Sequence, residues 1–165
     1  MEPFLRVARL RTYKEDAMKR SLAVIIALLL SGCAMQLQTA APEKDARAKS
    51  LAAPQDKALV YFVRPGIVGK PFAYDVICDN VKIGGTCGGY FAYAFLTAGK
   101  HVCTTRADNT ATLELDLSPG KTYYVEQPVS PGLIKGFIDL KLLDAAEGKQ
   151  KLSECTLSAD NAATP

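Results

Sequence analysis

Histidine occurs once in these 165 residues, at His101, and the five cysteines show neither C-x-x-C nor paired Cys/His spacing. That scarcity argues against a zinc site, which needs closely spaced thiolate and imidazole ligands. No apolar run reaches the roughly 20 residues of a membrane-spanning helix. The double glycines Gly84-Gly85 and Gly88-Gly89 lack the strand-loop-helix setting and the Lys-Ser/Thr ending of a phosphate loop. Metal, cofactor and nucleotide chemistry therefore have no motif to rest on.

What is present begins near the N-terminus. Lys19 and Arg20 precede the uncharged apolar run Leu22 to Leu30, and Leu30-Ser31-Gly32-Cys33 follows. Positive n-region, short h-region and small residues are the order of parts in an export signal. The cysteine then makes it read as a bacterial lipoprotein site, with cleavage between Gly32 and Cys33. Cys33 would carry an S-diacylglycerol group and, on its new amino group, a further acyl chain such as palmitate. Two or three chains hold a protein on a membrane where one would not. Met18-Lys19-Arg20 resembles a signal-peptide start, so residues 1–17 are expected to be an extension upstream of the true start, with 18–32 the signal peptide.

Removal of residues 1–32 takes out Arg6, Arg9, Arg11, Lys14, Lys19 and Arg20 but only Glu2, Glu15 and Asp16, so the formal charge falls from +3 to zero. The remaining chain has no electrostatic case for nucleic acid as a partner.

Residues 33–57 are rich in Ala, Gln and charge and have little to bury, which predicts a lipidated flexible tether. Such a tether would span about 25 to 30 Å root-mean-square. A short helix between Pro42 and Pro54 would be marginal in water unless docked.

From Ala58 the pattern becomes short strands separated by turn residues: 58–64, 72–78, 81–84, 90–96, 101–106, 111–117 and 122–127. Ala111, Leu113, Leu115 and Leu117 alternate with Thr112, Glu114 and Asp116, which marks a strand solvated on one side. Residues 133–143 are expected as a last strand, then a short helix or turn capped by Asp144, with Gly148 weakening it. The fold class is all-β: an antiparallel β-sandwich, immunoglobulin-like or transthyretin-like, of seven or eight strands over residues 58–157. Residues 158–165 are expected to be a disordered tail.

Cys78, Cys87, Cys103 and Cys155 are an even number in an oxidising compartment and predict two disulfides. A tight hairpin at Asp79-Asn80 puts Val81 opposite Cys78, which disfavours Cys78 with Cys87. Cys78 with Cys103 and Cys87 with Cys155 is preferred, without closing the third arrangement. Tyr90, Phe91, Tyr93, Phe95, Tyr123 and Tyr124 either cover a second layer or the tether, or form an exposed strip for an envelope protein or glycan.

Val60 to Pro65, Tyr74 to Asn80 with Ile83-Gly84, Gly99-Lys100-His101 and Gly120 to Val125 together resemble a domain-of-unknown-function family of small bacterial envelope lipoproteins, over about residues 57–157. The resemblance implies a membrane-anchored β-sandwich and no assigned activity. Ala34, rather than Asp, after the lipidated cysteine implies the outer membrane, facing the periplasm, by the sorting rule of enteric bacteria. The functional expectation is a non-catalytic binding or envelope-assembly accessory module. Its rival is a cell-wall-acting enzyme or inhibitor that uses the Cys87 loop and His101.

Overall fold

A computed structural model describes residues 39–66 and 72–162. The expectations for residues 1–17, the signal segment 18–32, Gly32 and Cys33 concern residues outside this set.

The described chain is mostly β, with two short helices: α1 (Pro42–Lys49), β1 (Lys57–Arg64), β2 (Tyr74–Cys78), β3 (Val81–Thr86), β4 (Tyr90–Thr97), β5 (Gly99–Arg106), β6 (Thr110–Leu117), β7 (Thr122–Glu126), β8 (Val129–Ser130), β9 (Phe137–Ile138), β10 (Lys141–Leu143), α2 (Ala145–Ser153) and β11 (Thr156–Leu157). One sheet has the order β10-β7-β1-β4-β11, a second β3-β2-β5-β6, and β8 and β9 form a two-stranded ribbon.

Alternation in the sequence maps onto the small sheet. Along β6 the leucines at 115 and 117 are buried while Glu114 and Asp116 face water, because only one side of this sheet meets the core. Its inward residues Tyr74, Val76, Cys78, Ile83, Cys103, Ala111, Leu115 and Leu117 pack against Ala58, Val60, Phe62, Ala92, Ala94 and Val125 of the larger sheet. The larger sheet is buried on its other face too. Leu59, Tyr61, Val63, Phe91, Tyr93, Tyr124 and Leu143 pack there under Ala48 of α1 and Leu152 of α2. The continuous run Ala58 to Arg64 is thus buried at every position, the signature of a strand covered on both sides.

Several expectations are corrected. The larger sheet is mixed, not antiparallel: β1 pairs in parallel with β7, and β11 in parallel with β4. The chain reaches β7 only after building all four strands of the other sheet and reaches β11 after α2, and local periodicity does not encode those returns. The expected strand at 133–143 is reduced to β9 and β10: Gly136, just before β9, takes φ 98, a left-handed conformation that interrupts pairing, and Asp139 and Leu140 separate the two short strands. The strands number eleven among the described residues, because the region after β7 adds the two-residue pieces β8, β9 and β11.

The tether expectation is overturned for residues 39–57. Helix α1 starts on Pro42, has Glu43 and Asp45 in its first turn and closes a Lys49–Asp45 bridge of 2.9 Å, all favourable at helix ends. It is docked: Tyr61 donates its hydroxyl hydrogen to the Ala48 carbonyl at 2.6 Å, and Asp45 accepts from the Leu157 N–H at 2.7 Å. Tertiary contacts supply the stability that eight residues lack alone. The tail expectation fails similarly for 158–162. Thr39 bridges Ser158, Asn161 accepts from the Tyr93 N–H at 2.7 Å, and the Ala162 N–H reaches the Ile83 carbonyl at 2.7 Å.

Asp144 caps α2 as expected, accepting from the N–H groups of Ala146 and Glu147 at 2.9 and 2.8 Å. Gly148 has a reason to be in that helix. A Cβ there would lie 2.2 Å from the Tyr124 ring, so glycine lets α2 settle on the sheet.

Candidate functional site

The residues singled out from sequence fall at opposite ends of the sheets. β4 runs from Tyr90, beside Arg64 at one end, to Thr97, beside Lys57 at the other, a span of about 23 Å. Cys87 belongs to the first end and His101 to the second.

At the second end the hairpin between β2 and β3 turns on Asp79 and Asn80, with φ 50 and 66, the left-handed pair that a tight two-residue turn requires. The turn aims Asp79 at β5. Its Oδ1 accepts from the Val102 N–H at 3.0 Å, and its Oδ2 lies 2.5 Å from His101 Nδ1. These two contacts, the Val102 N–H first, hold the Asp79 carboxyl below its ordinary value. His101 Nε2 lies 2.9 Å from the Thr97 carbonyl. Both ring nitrogens therefore face an acceptor, and the ring is almost buried. The arrangement ties the turn between β4 and β5 to the turn between β2 and β3. His101 is among the residues lining an adjoining hollow of about 460 Å³, with Lys57, Lys82 and Phe95, but both of its ring nitrogens are already engaged by Asp79 and Thr97.

Cys78 and Cys103 sit directly opposite each other on β2 and β5 and form the expected disulfide, with Cα atoms 4.1 Å apart. Val81 pairs with Cys78 as the hairpin predicts, and a bulge at Val76/Ile77 shifts the register beyond it. The expected second bridge is not formed: Cys87 and Cys155 are both buried thiols. Arg64 stands against both of them. Its guanidinium interacts electrostatically with Cys87, and its main chain hydrogen-bonds the sulfur of Cys155. Burial pushes the Cys155 thiol up to about 11, which keeps it protonated and unreactive.

Sequence reasoning missed the polar cluster at this first end. Arg64 is 2% exposed. Its Nη1 donates to the carbonyls of Phe72 and Thr86 at 2.9 and 3.1 Å, and its guanidinium carbon lies 4.6 Å from the centre of the Tyr74 ring. Burial pulls the guanidinium below its ordinary value, opposed by the Tyr74 ring and Cys87. Next to it the Thr86 hydroxyl donates to Gln127 Oε1, and Gln127 Nε2 donates to Thr105 Oγ1 at 2.7 Å. The chain of side chains crosses from one sheet to the other. Arg64-Pro65 at the end of an apolar strand was the available signal, since an arginine following six apolar residues must either leave the core or be satisfied within it.

The aromatic strip is covered. Phe91, Tyr93 and Tyr124 are buried with Tyr61, whose ring stacks on Tyr124 at 5.5 Å and meets Phe91 edge-on at 6.0 Å. Docking of the N-terminal segment and α2 explains the burial, so these rings form no exposed strip. Among the described residues, no three His, Cys, Asp or Glu side chains form a cluster that could hold a metal ion.

These features define a mostly β protein of two packed sheets with a helical cover, stapled by one disulfide among the described residues. The chain is similar to an uncharacterized protein of Haemophilus influenzae, 27% identical over 144 residues that span 86% of this chain and 85% of that one. It matches no family model.

Proposed function

We propose that this chain is a lipid-anchored bacterial cell-envelope protein of the small envelope-lipoprotein family it resembles, a β-sandwich of immunoglobulin-like or transthyretin-like character. It serves as a non-catalytic binding or envelope-assembly accessory module. The observation that carries the reading is the apolar run ending in Leu30-Ser31-Gly32-Cys33 behind Lys19 and Arg20. The Cys78–Cys103 bridge supports it, since disulfides persist in oxidising compartments. Ala34 favours the outer membrane, facing the periplasm.

Cells that express the chain and are labelled with palmitate test the reading. The wild type is expected to take up label and to sediment with outer-membrane markers on a sucrose gradient. Cys33→Ser is expected to lose label and enter the soluble fraction. Label retained by Cys33→Ser, or none on the wild type, refutes the anchor; co-sedimentation with inner-membrane markers refutes the sorting.

A further inference from the structure

We propose that the loop of residues 131–136, tipped by Leu133 and Ile134, is a second contact with the bilayer, a proposal that rests on the lipid-anchor reading. Leu133 is 93% exposed and Ile134 79%, with Phe137 at 48% beside them. Adjacent aliphatic side chains this exposed are costly in water unless something covers them.

The loop is held rigidly rather than left slack. The Asp108 carboxylate accepts from the N–H groups of Ile134, Lys135 and Gly136 at 2.9, 3.1 and 3.1 Å. Asn109 clamps Ile138 through two bonds of 2.8 Å, and the Tyr74 hydroxyl donates to the Lys135 carbonyl. The N–H groups at the tip are thus already satisfied, which entry into an apolar phase demands. The backbone that presents these exposed side chains is already ordered, so contact with a partner costs little loop entropy.

Shape and charge select the occupant. The tip protrudes, so a protein partner would need a matching cavity, whereas a fluid bilayer interface accepts a convex apolar tip without one. Lys135, next to the aliphatic pair, offers a cation to anionic headgroups and offsets the exposed Asp108 carboxylate that binds the loop's N–H groups.

Reach agrees. The Thr39–Ser158 bridge and the bond from the Ser158 N–H to the Phe91 carbonyl place Thr39 near the level of Ala92. That level is two residues, about 7 Å, from the Tyr90 end of β4, where Arg64, Tyr74 and the loop lie, and about 17 Å from the Thr97 end. The chain from Cys33 to Thr39 can extend at most about 20 Å. That reach covers the loop's end of the domain, the nearer of the two, with length to spare.

The chain has no tryptophan, so one introduced indole reports its own surroundings. Ile134→Trp and, as the control at the opposite end, Val81→Trp are made in the full lipidated protein. Each is reconstituted into phosphatidylethanolamine and phosphatidylglycerol vesicles with brominated acyl chains. Ile134→Trp is expected to shift its emission to the blue and to be quenched, Val81→Trp to do neither. In the unlipidated chain, Leu133→Asp is expected to weaken vesicle binding about tenfold, as loss of one apolar side chain from a nonpolar phase would. Equal quenching at both positions, or quenching of Val81→Trp alone, overturns the proposal. So does a blue shift that grows with protein concentration without lipid, because a second copy would then cover the loop. Lipid on Cys33 by mass spectrometry without quenching of Ile134→Trp refutes the loop contact and leaves the anchor. Quenching without lipid on Cys33 refutes the anchor and leaves the contact.

Discussion

Gly148 shows how one position decides whether two elements meet. Glycine costs a helix about 1 kcal/mol relative to alanine, yet Gly148→Ala is expected to destabilise the protein by about 2 kcal/mol, because the new methyl must displace the Tyr124 ring. Thermal unfolding followed by circular dichroism checks the sign. An equal or higher midpoint would show that α2 can move away at no cost. Gln127 decides a polar question in the same way. Gln127→Leu strands the Thr86 hydroxyl and removes the donor to Thr105, an expected loss of about 2 kcal/mol or more. The triple variant with Thr86→Val and Thr105→Val is expected to recover part of it, because buried hydroxyls without partners no longer remain. Urea denaturation of the single and triple variants measures the difference.

At the scale of elements, α1 is fastened more by polar bonds than by an apolar stripe. Tyr61→Phe removes the bond to the Ala48 carbonyl, and amide exchange in α1 is expected to quicken about tenfold while the core of β1 keeps its protection. Unchanged exchange would mean that burial of Ala48 and the Asp45 bond suffice. The same feature explains why composition suggested a tether: PEKDARAK buries only Ala48. The strands expected at 58–64, 72–78 and 111–117 were legible from β-rich runs and alternation, whereas hairpin register only disfavoured Cys78 with Cys87 and left Cys78 with Cys103 a preference. The parallel pairings of β7 and β11 were not legible, since they depend on where the chain returns after leaving the sheet. The Arg64 cluster was hidden because Thr86, Thr105 and Gln127 are far apart in sequence and carry no motif. Reduction of the Cys78–Cys103 bridge, which closes a separation of 25 residues, is expected to cost about 3 kcal/mol, read as a lower urea midpoint in reductant.

For the whole molecule, acid is the condition that loosens both ends together. Asp79 is held below its ordinary value chiefly by the Val102 N–H and then by His101; Asp108 chiefly by the Ile134 N–H. A carboxyl lowered in the folded state contributes stability above its unfolded value of about 4 and loses that contribution as pH falls through the folded value. The urea midpoint is therefore expected to drop on acidification below about pH 4, less steeply in Asp79→Asn and Asp108→Asn. Identical pH profiles in all three proteins would remove these carboxylates from the account.

The larger sheet, as the middle layer, also sets how substitutions will be tolerated. In β6 sensitivity should rise and fall with every second residue, following the alternation of Leu115 and Leu117 with Glu114 and Asp116. In β1, covered from both sides, parity should vanish, and a saturation library selected for folded protein should show an unbroken intolerant block from Ala58 to Arg64.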